Sequence, residues 1–392
     1  MLRGCFNGRE KISITANSQS IEQILKTILT IIIVEIFANI SKNNTTVMVA
    51  SAAFATTTAT FISFIYLYSY YIRSKRDIWK DVVTSKYKQR ESVIKIIKSI
   101  LYISFPIMLA SLLATSNRTI DAFTVVNTIS KFLGTEKAKF QYGILTGKVE
   151  GLVMLPYSFN IAFATTLIPT ISASEARGEM EKAMKRINFS ILATILISLP
   201  CMAVLFVFSE QILKLMFPNA YLGANMLKIC SLSIIFVAIT QTIGGVLQGL
   251  KRVKEPLIAI GISSVIKLIL NLILVPIKDL NINGAIIASL VSHIVLFVIS
   301  YVYLKKYTYF NMNTIKFIVK PVIATIIMSA IAISIYNLNI CSSENIKLIL
   351  ALLIGTISYI ITVFLLKILS KEEINMLPYG NKLYKYKNKK ML

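Results

Sequence analysis

The sequence predicts an all-α, polytopic membrane protein with about ten transmembrane helices. Three observations carry that prediction. Hydrophobic residues make up 55% of the 392 and charged residues 15%, whereas a soluble domain carries about 25% charged residues. The mean hydropathy is +0.70. Apolar runs long enough to cross a bilayer, which takes about 20 residues each, recur from one end of the chain to the other.

Taken in order, the runs place spans near 21–40, 47–71, 98–125, 150–171, 189–208, 226–249, 256–276, 282–304, 318–336 and 346–368. The first begins near Ile21, is long enough to span and has no small-residue cleavage site, so it reads as a span and not as a cleavable signal. The third is the irregular one. Its apolar character persists from Val93 to Phe132 but is interrupted by "SNRTID" (116–121), so the helix is long, broken, or followed by an amphipathic surface segment.

Lysine and arginine give the orientation. Of the 42, 30 fall at the N-terminus, the C-terminal tail and alternate loops, 9 fall in the intervening loops, and Lys26, Lys228 and Lys267 lie within spans. Positive residues accumulate on the cytoplasmic side, so both termini are expected in the cytoplasm of a multi-pass cell-membrane protein. The net charge of +24 follows largely from this bias. The "KLYKYKNKK" tail (382–390) suits anionic lipid, and no nucleic-acid partner is called for.

Cys5, Cys201, Cys230 and Cys341 show no C-x-x-C spacing, and His293 is the only histidine. Nothing here points to a metal or another cofactor. A membrane glycosyltransferase or acyltransferase would need a catalytic base or nucleophile that the outer-face loops do not supply, so the chain is not expected to be an enzyme.

Shifted by 241 residues, the chain aligns with itself: Gly4 meets Gly245, Gly8 meets Gly249, Ile21 meets Ile262 and Lys26 meets Lys267. Both copies fall on the cytoplasmic side of the derived topology, so the repeat is parallel, about an axis along the membrane normal, as in several transporters. The second copy closes a helix that has others before it. The first has none, and the duplication therefore predicts helices upstream of Met1, with Met1 itself an internal position serving as a start.

At these residues a family resemblance emerges. "RGCFNGREKISITANSQSIEQ" (3–23) resembles the Arg-Gly-x-Phe-x-Gly…Ala-x-Ser-Gln-x-x-Glu-Gln segment of stage V sporulation protein B and related polysaccharide-transport proteins, relatives of the lipid II flippases and the multidrug/toxin extrusion antiporters. "YGILTGKVEGLVMLPYSFNIAFATTLIPTISASEARGE" (142–179) resembles the eighth helix of that family, and "GVLQGLKRVKEPLIAIGISSVIKLILNLILVPI" (245–277) with "NINGAIIASLVSHIV" (281–295) resembles helices ten to twelve. The resemblance implies a partial two-lobe flippase fold lacking its first four helices. Residues 1–92 would be the remnant of the N-lobe (helices five and six), 93–310 the six-helix C-lobe, and 311–392 a terminal helix pair with a basic cytoplasmic tail. It also implies export of a lipid-linked oligosaccharide or a peptidoglycan or polysaccharide precursor, by alternating access, with an undecaprenyl-diphosphate-type substrate, membrane lipids and a coupling cation as possible partners. The alternatives are a cation-coupled multidrug antiporter of the same superfamily, or a truncated fragment without function.

Ionisable residues inside a membrane default to functional candidates. Lys26 and Lys267, at equivalent repeat positions, either snorkel to lipid headgroups or face a central cavity and attract a diphosphate. Glu35 lies near the far end of the first span, either at the interface or in the cavity. Arg118 and Asp121, three apart on one helix face, are either a local ion pair or part of the lining; the Asp resembles an acidic position in the family's seventh helix. Lys148 and Glu150 precede "GLVMLP", near the place where the lipid II flippases carry an arginine. Lysine grips phosphate differently from arginine, so that transfer is loose. Gly4/Gly8 and Gly245/Gly249 have the small-xxx-small spacing of close helix packing. Asn160, Gln241, Asn271 and His293 are expected to hydrogen-bond between helices.

Overall fold

The computed structural model describes residues 2–8, 12–40, 44–84, 92–218, 221–308, 310, 312–338, 343–370 and 372–373. The basic tail (382–390) and Cys341 lie outside the described residues, where all secondary structure is helical. The chain forms two compact units, Met1–Val93 and Ile94–Leu392.

The first unit holds α1 (Leu2–Gly8), α2 (Ile12–Ile40) and α3 (Thr45–Thr84). Helices α2 and α3 pair as a hairpin with α1 laid against both. The "RGCFNG…SQSIEQ" motif ties the three together. Phe6 is buried, and the Arg3 guanidinium donates to Ser18 Oγ on α2 (3.3 Å), to Glu22 Oε2 on α2 (2.5 Å) and to Ser63 Oγ on α3 (3.2 Å). Ser63 Oγ donates in turn to the Ser18 carbonyl at 3.0 Å. One arginine with five donors in a planar fork can satisfy acceptors on two helices at once.

The second unit runs α4 (Val93–Leu133), α5 (Thr135–Ile144), a π-helical turn (Leu145–Val149), α6 (Glu150–Ala176), α7 (Met180–Val207), α8 (Ser209–Met216), α9 (Ala224–Ser231), α10 (Ser233–Gly249), α11 (Lys254–Leu274), α12 (Ile282–Tyr307), a second π-helical turn (Ile315–Val319), α13 (Lys320–Asn337) and α14 (Glu344–Leu365). Helix α10 is central and packs on α6, α7 and α12, while α11 pairs with α12 and α13 joins α7 to α14. The irregular third span is a single helix of 41 residues, about 60 Å long and roughly twice the hydrocarbon thickness. The "SNRTID" interruption does not break it.

Among the described residues, seven helices are long and apolar enough to cross a membrane: Thr45–Arg76, Met180–Val207, Ala224–Gly249, Lys254–Leu274, Ile282–Tyr307, Ile315–Asn337 and Glu344–Leu365. The stretches over 21–40, 98–125 and 150–171 are helical as well, but the count of ten spans is not confirmed. No more than half of any of the seven is buried, and the exposed surface carries large apolar side chains such as Leu272, Val302, Leu353 and Leu365. Apolar on the outside is the pattern of a protein solvated by lipid.

Small residues set the close approaches. A Cβ on Gly245 would lie 2.7 Å from the Ala164 carbonyl oxygen of α6, and one on Gly249 would lie 2.9 Å from Ile171 Cβ. The small-xxx-small spacing there serves helix packing. Its sequence counterpart Gly4 has nothing within 4 Å, and the surroundings of Gly8 lie outside the described side chains. Away from the cavity, Tyr359 on α14 donates its hydroxyl to the Leu196 carbonyl of α7 at 2.9 Å. Tyr359→Phe is expected to lower thermal stability by about 0.5–1.5 kcal/mol, the net value of one such bond. A melting curve identical to wild type would show that the bond contributes nothing.

Candidate functional site

The second unit contains an elongated cavity of about 670 Å³ lined by α4, α6, α10, α11 and α12. Along α6 the lining runs from Glu150 to Ile168, about 27 Å at 1.5 Å per residue. The wall is mostly apolar, with Arg118, Asp121, Glu150, Lys267 and His293 among its polar members.

The centre of the site is an ion pair. Asp121 on α4 and Lys267 on α11 are 7% and 6% exposed, and the Lys267 ammonium donates to Asp121 Oδ2 at 2.5 Å. One turn further along α11, Asn271 Nδ2 donates to Asp121 Oδ1 at 2.9 Å and to Thr124 Oγ1 at 3.0 Å. Lys267 also donates to the Asn117 carbonyl at 3.3 Å. Residues four apart share a helix face, so two positions on α11 clip a two-turn stretch of α4, and both carboxylate oxygens are satisfied. A charge buried without such partners would be heavily penalised.

Arg118 stands beside this pair with an exposed side chain, its Nη2 3.8 Å from Met154 Sδ. Its sequence neighbour Asp121 is paired with Lys267, not with Arg118. Glu150 begins α6 and is half-buried. Lys148, in the preceding π-helical turn, is also half-buried and lies 5.2 Å from the Phe217 ring centroid, within cation–π range. Lys26 and Glu35 are carried by α2 of the other unit, where both side chains are exposed.

A second polar group braces the wall. Asn160 Nδ2 on α6 donates to the Ala238 carbonyl (2.6 Å) and to Gln241 Oε1 (3.1 Å) on α10, and Asn160 Oδ1 accepts from Thr194 Oγ1 on α7 at 3.1 Å. The interhelical bonding expected of Asn160, Gln241 and Asn271 is present. His293 differs: its Nδ1 is buried and has no hydrogen-bond partner, as are Asn117 Oδ1 and Thr240 Oγ1, and all three residues line the cavity. No spacing rule marks these atoms in advance, because their company is set by helices distant in sequence.

Fold and cavity together define a multi-pass helical membrane protein with a charge-paired internal cavity, the architecture of a transporter. The comparisons with known proteins are more specific. The family model described as lipid II flippase MurJ matches residues 150–356, more than half of the chain, and the chain belongs to that family. The model for polysaccharide biosynthesis proteins matches residues 1–175. Among curated proteins of Bacillus subtilis strain 168, the chain is 26% identical over 399 residues to the uncharacterized membrane protein YabM, covering 98% of this chain and 72% of that protein. It is 25% identical over 335 residues to the lipid II flippase MurJ, covering 84% of this chain and 61% of that protein. It is 21% identical over 291 residues to stage V sporulation protein B, covering 74% of this chain and 54% of that protein. The chain thus spans less than two thirds of the length of the last two. A solved structure of lipid II flippase MurJ in an inward closed conformation superposes with a TM-score of 0.61 at 21% identity, over 93% of this chain and 70% of that one, which shows the shared fold.

Proposed function

We propose that the protein moves a lipid-linked oligosaccharide or peptidoglycan precursor outward across the cytoplasmic membrane by alternating access, with both termini in the cytoplasm. The observation that carries this reading is the buried Asp121–Lys267 pair on the wall of a long, largely apolar cavity. Lipid II flippases and a glycan-biosynthesis flippase of Haloferax volcanii stand among the relatives, which supports the substrate class.

The site suggests how each part of such a substrate is met. Arg118 offers a planar fork suited to a diphosphate. The unpartnered Asn117 Oδ1, an acceptor, and His293 Nδ1, which donates or accepts according to tautomer, suit sugar hydroxyls. The pair itself is the switching element: an incoming diphosphate competes with Asp121 for Lys267, and losing that partner releases α4 from α11. A ligand shifts a two-state equilibrium only through differential affinity for the states, and competition for one ammonium supplies it. Because Asp121 is already held by Lys267 and Asn271, the acidic cavity that a cation-coupled drug antiporter would use is not favoured. The flippases among the relatives are transporters, and no group-transfer step is assigned. A coupling cation is compatible with this scheme, which does not require one.

Arg118→Ala is the direct test. The side chain is exposed, so folding is expected to be unchanged, while translocation of a fluorescent undecaprenyl-diphosphate-linked sugar in proteoliposomes is expected to fall at least about tenfold, the loss of one charge-assisted contact of about 1.5 kcal/mol or more. Wild-type translocation by this variant would remove Arg118 from the substrate path.

A further inference from the structure

Where the π-helical turn before α13 meets the end of α14 lies a pocket of about 340 Å³; Asn313, Ile315, Lys316, Lys320, Lys367 and Ser370 are among its lining residues. It shares no lining residue with the transport cavity. Two of its lysines are fixed in place. Lys316 Nζ donates to Glu373 Oε1 at 2.6 Å, and Lys320 Nζ donates to the Leu366 carbonyl at the C-terminal end of α14 at 2.8 Å. Both lysines are half-buried. Glu373 is buried and held in its turn: Oε2 accepts the Ser370 N–H at 2.8 Å, and the Glu373 N–H donates to Ser370 Oγ at 3.3 Å, a capping box. Lysines held in this way have already lost rotamer freedom that binding would otherwise cost.

The charges of the pocket do not balance. Glu373 pairs with Lys316, and the ion pairs among the described residues include neither Lys320 nor Lys367. Three ammonium groups therefore face one carboxylate and one helix C-terminus, which carries about half a negative charge. An excess of about one and a half positive charges remains. A half-buried ammonium whose partner is a neutral carbonyl calls for an anion.

Depth decides which anion. The span Ile315–Asn337 begins at this pocket and the span Glu344–Leu365 ends at it, and Ile315, Ile318, Val319 and Leu365 expose apolar side chains there. The pocket thus stands where hydrocarbon gives way to headgroups, the level to which lysines reach. We infer that it binds an anionic glycerophospholipid, with the phosphodiester on Lys320 and Lys367 and the acyl chains along the exposed apolar residues. A soluble phosphate would use the ammonium groups and leave the apolar surface uncovered. Basic pockets between transmembrane helices take lipid headgroups in this way. The bound lipid bridges the start of α13 and the end of α14.

The test is displacement of a tail-labelled fluorescent phosphatidylglycerol from the purified full chain in neutral detergent, and it needs no transport activity. Short-chain phosphatidylglycerol is expected to displace the probe about tenfold more strongly than short-chain phosphatidylcholine, and inorganic phosphate is expected not to displace it. Lys320→Gln and Lys367→Gln should each weaken binding by about fivefold, the effect of one basic residue near an anionic headgroup. The Lys367 side chain is exposed, so that variant is expected to fold as wild type. Lys305→Gln, an exposed lysine in the last turn of α12 and outside the pocket lining, should bind as wild type. The inference is overturned if phosphatidylcholine displaces the probe equally well or if inorganic phosphate displaces it. It is overturned too if either pocket variant binds like wild type, or if Lys305→Gln weakens binding as much as they do.

Discussion

Lys267→Met is expected to lower stability by about 3–5 kcal/mol and to stop transport. Removing one partner of a buried pair leaves the other as an uncompensated charge, and the cost is that of the stranded group and not the net value of the pair. Asp121 has little escape, because its exposure is 7% and its remaining partner is the neutral amide of Asn271. The double variant Asp121→Asn/Lys267→Met separates structure from mechanism. With both charges gone, stability should return to near wild type, since apolar or neutral replacements of buried pairs are often tolerated. Transport should stay lost, because no ammonium remains for the diphosphate to capture. Thermal unfolding of both variants, read beside translocation in proteoliposomes, checks the two halves. Single-variant stability equal to wild type would mean that Asp121 does not depend on Lys267. Transport by the double variant would mean that the pair is structural only. Lys26→Met is the natural control. It occupies the equivalent repeat position but is exposed on α2, and a surface change of that kind falls within about 0.5 kcal/mol.

That contrast shows what the sequence could and could not reveal. The helical, membrane-spanning class was legible, though not the count of spans, because lipid leaves a chain no choice: every backbone group must be satisfied inside a helix, and every outward face must be apolar. The helical spacing of Arg118 and Asp121 was legible too, since three residues apart means one face. Their partners were not. Asp121 meets a lysine 146 residues away, and a choice between Arg118 and Lys267 depends on which helices α4 touches. Lys267 itself read equally well as a snorkelling residue, and only its burial against Asp121 decides between the two. Lys148 faces an aromatic ring on a loop that its own segment does not predict. The 241-residue offset pairs Lys26 with Lys267 in the sequence, but positions paired by an offset need not share surroundings. The turn at Asn281 (φ 50, ψ −126) was hidden for a different reason: an asparagine can cap a helix or turn the chain, and its φ is not written in its identity.

Two adjacent glycines on α10 are expected to respond to alanine with opposite signs. At Gly245 the new Cβ would stand 2.7 Å from the Ala164 oxygen and 3.3 Å from its carbonyl carbon. These are backbone atoms of α6, so no rotamer change relieves the clash and the two helices must separate. Overpacking of this kind costs about 1–3 kcal/mol. The same interface holds the Asn160 amide against the Ala238 carbonyl at 2.6 Å and the Asn160 oxygen against Thr194, and stretching those bonds in a dry setting adds about 1–3 kcal/mol. At Gly244 nothing lies within 4 Å of the added carbon, which would project into the cavity, and alanine there gains helix propensity of up to about 1 kcal/mol. Chemical or thermal unfolding of Gly244→Ala and Gly245→Ala in one detergent reads the difference directly. Equal stabilities would mean that α6 and α10 are not packed backbone to backbone. A destabilised Gly244→Ala with an unaffected Gly245→Ala would mean that α10 is turned by one residue, about 100°. That rotation would also carry Gln241 off the cavity wall, so the glycine pair tests the register on which the whole lining depends.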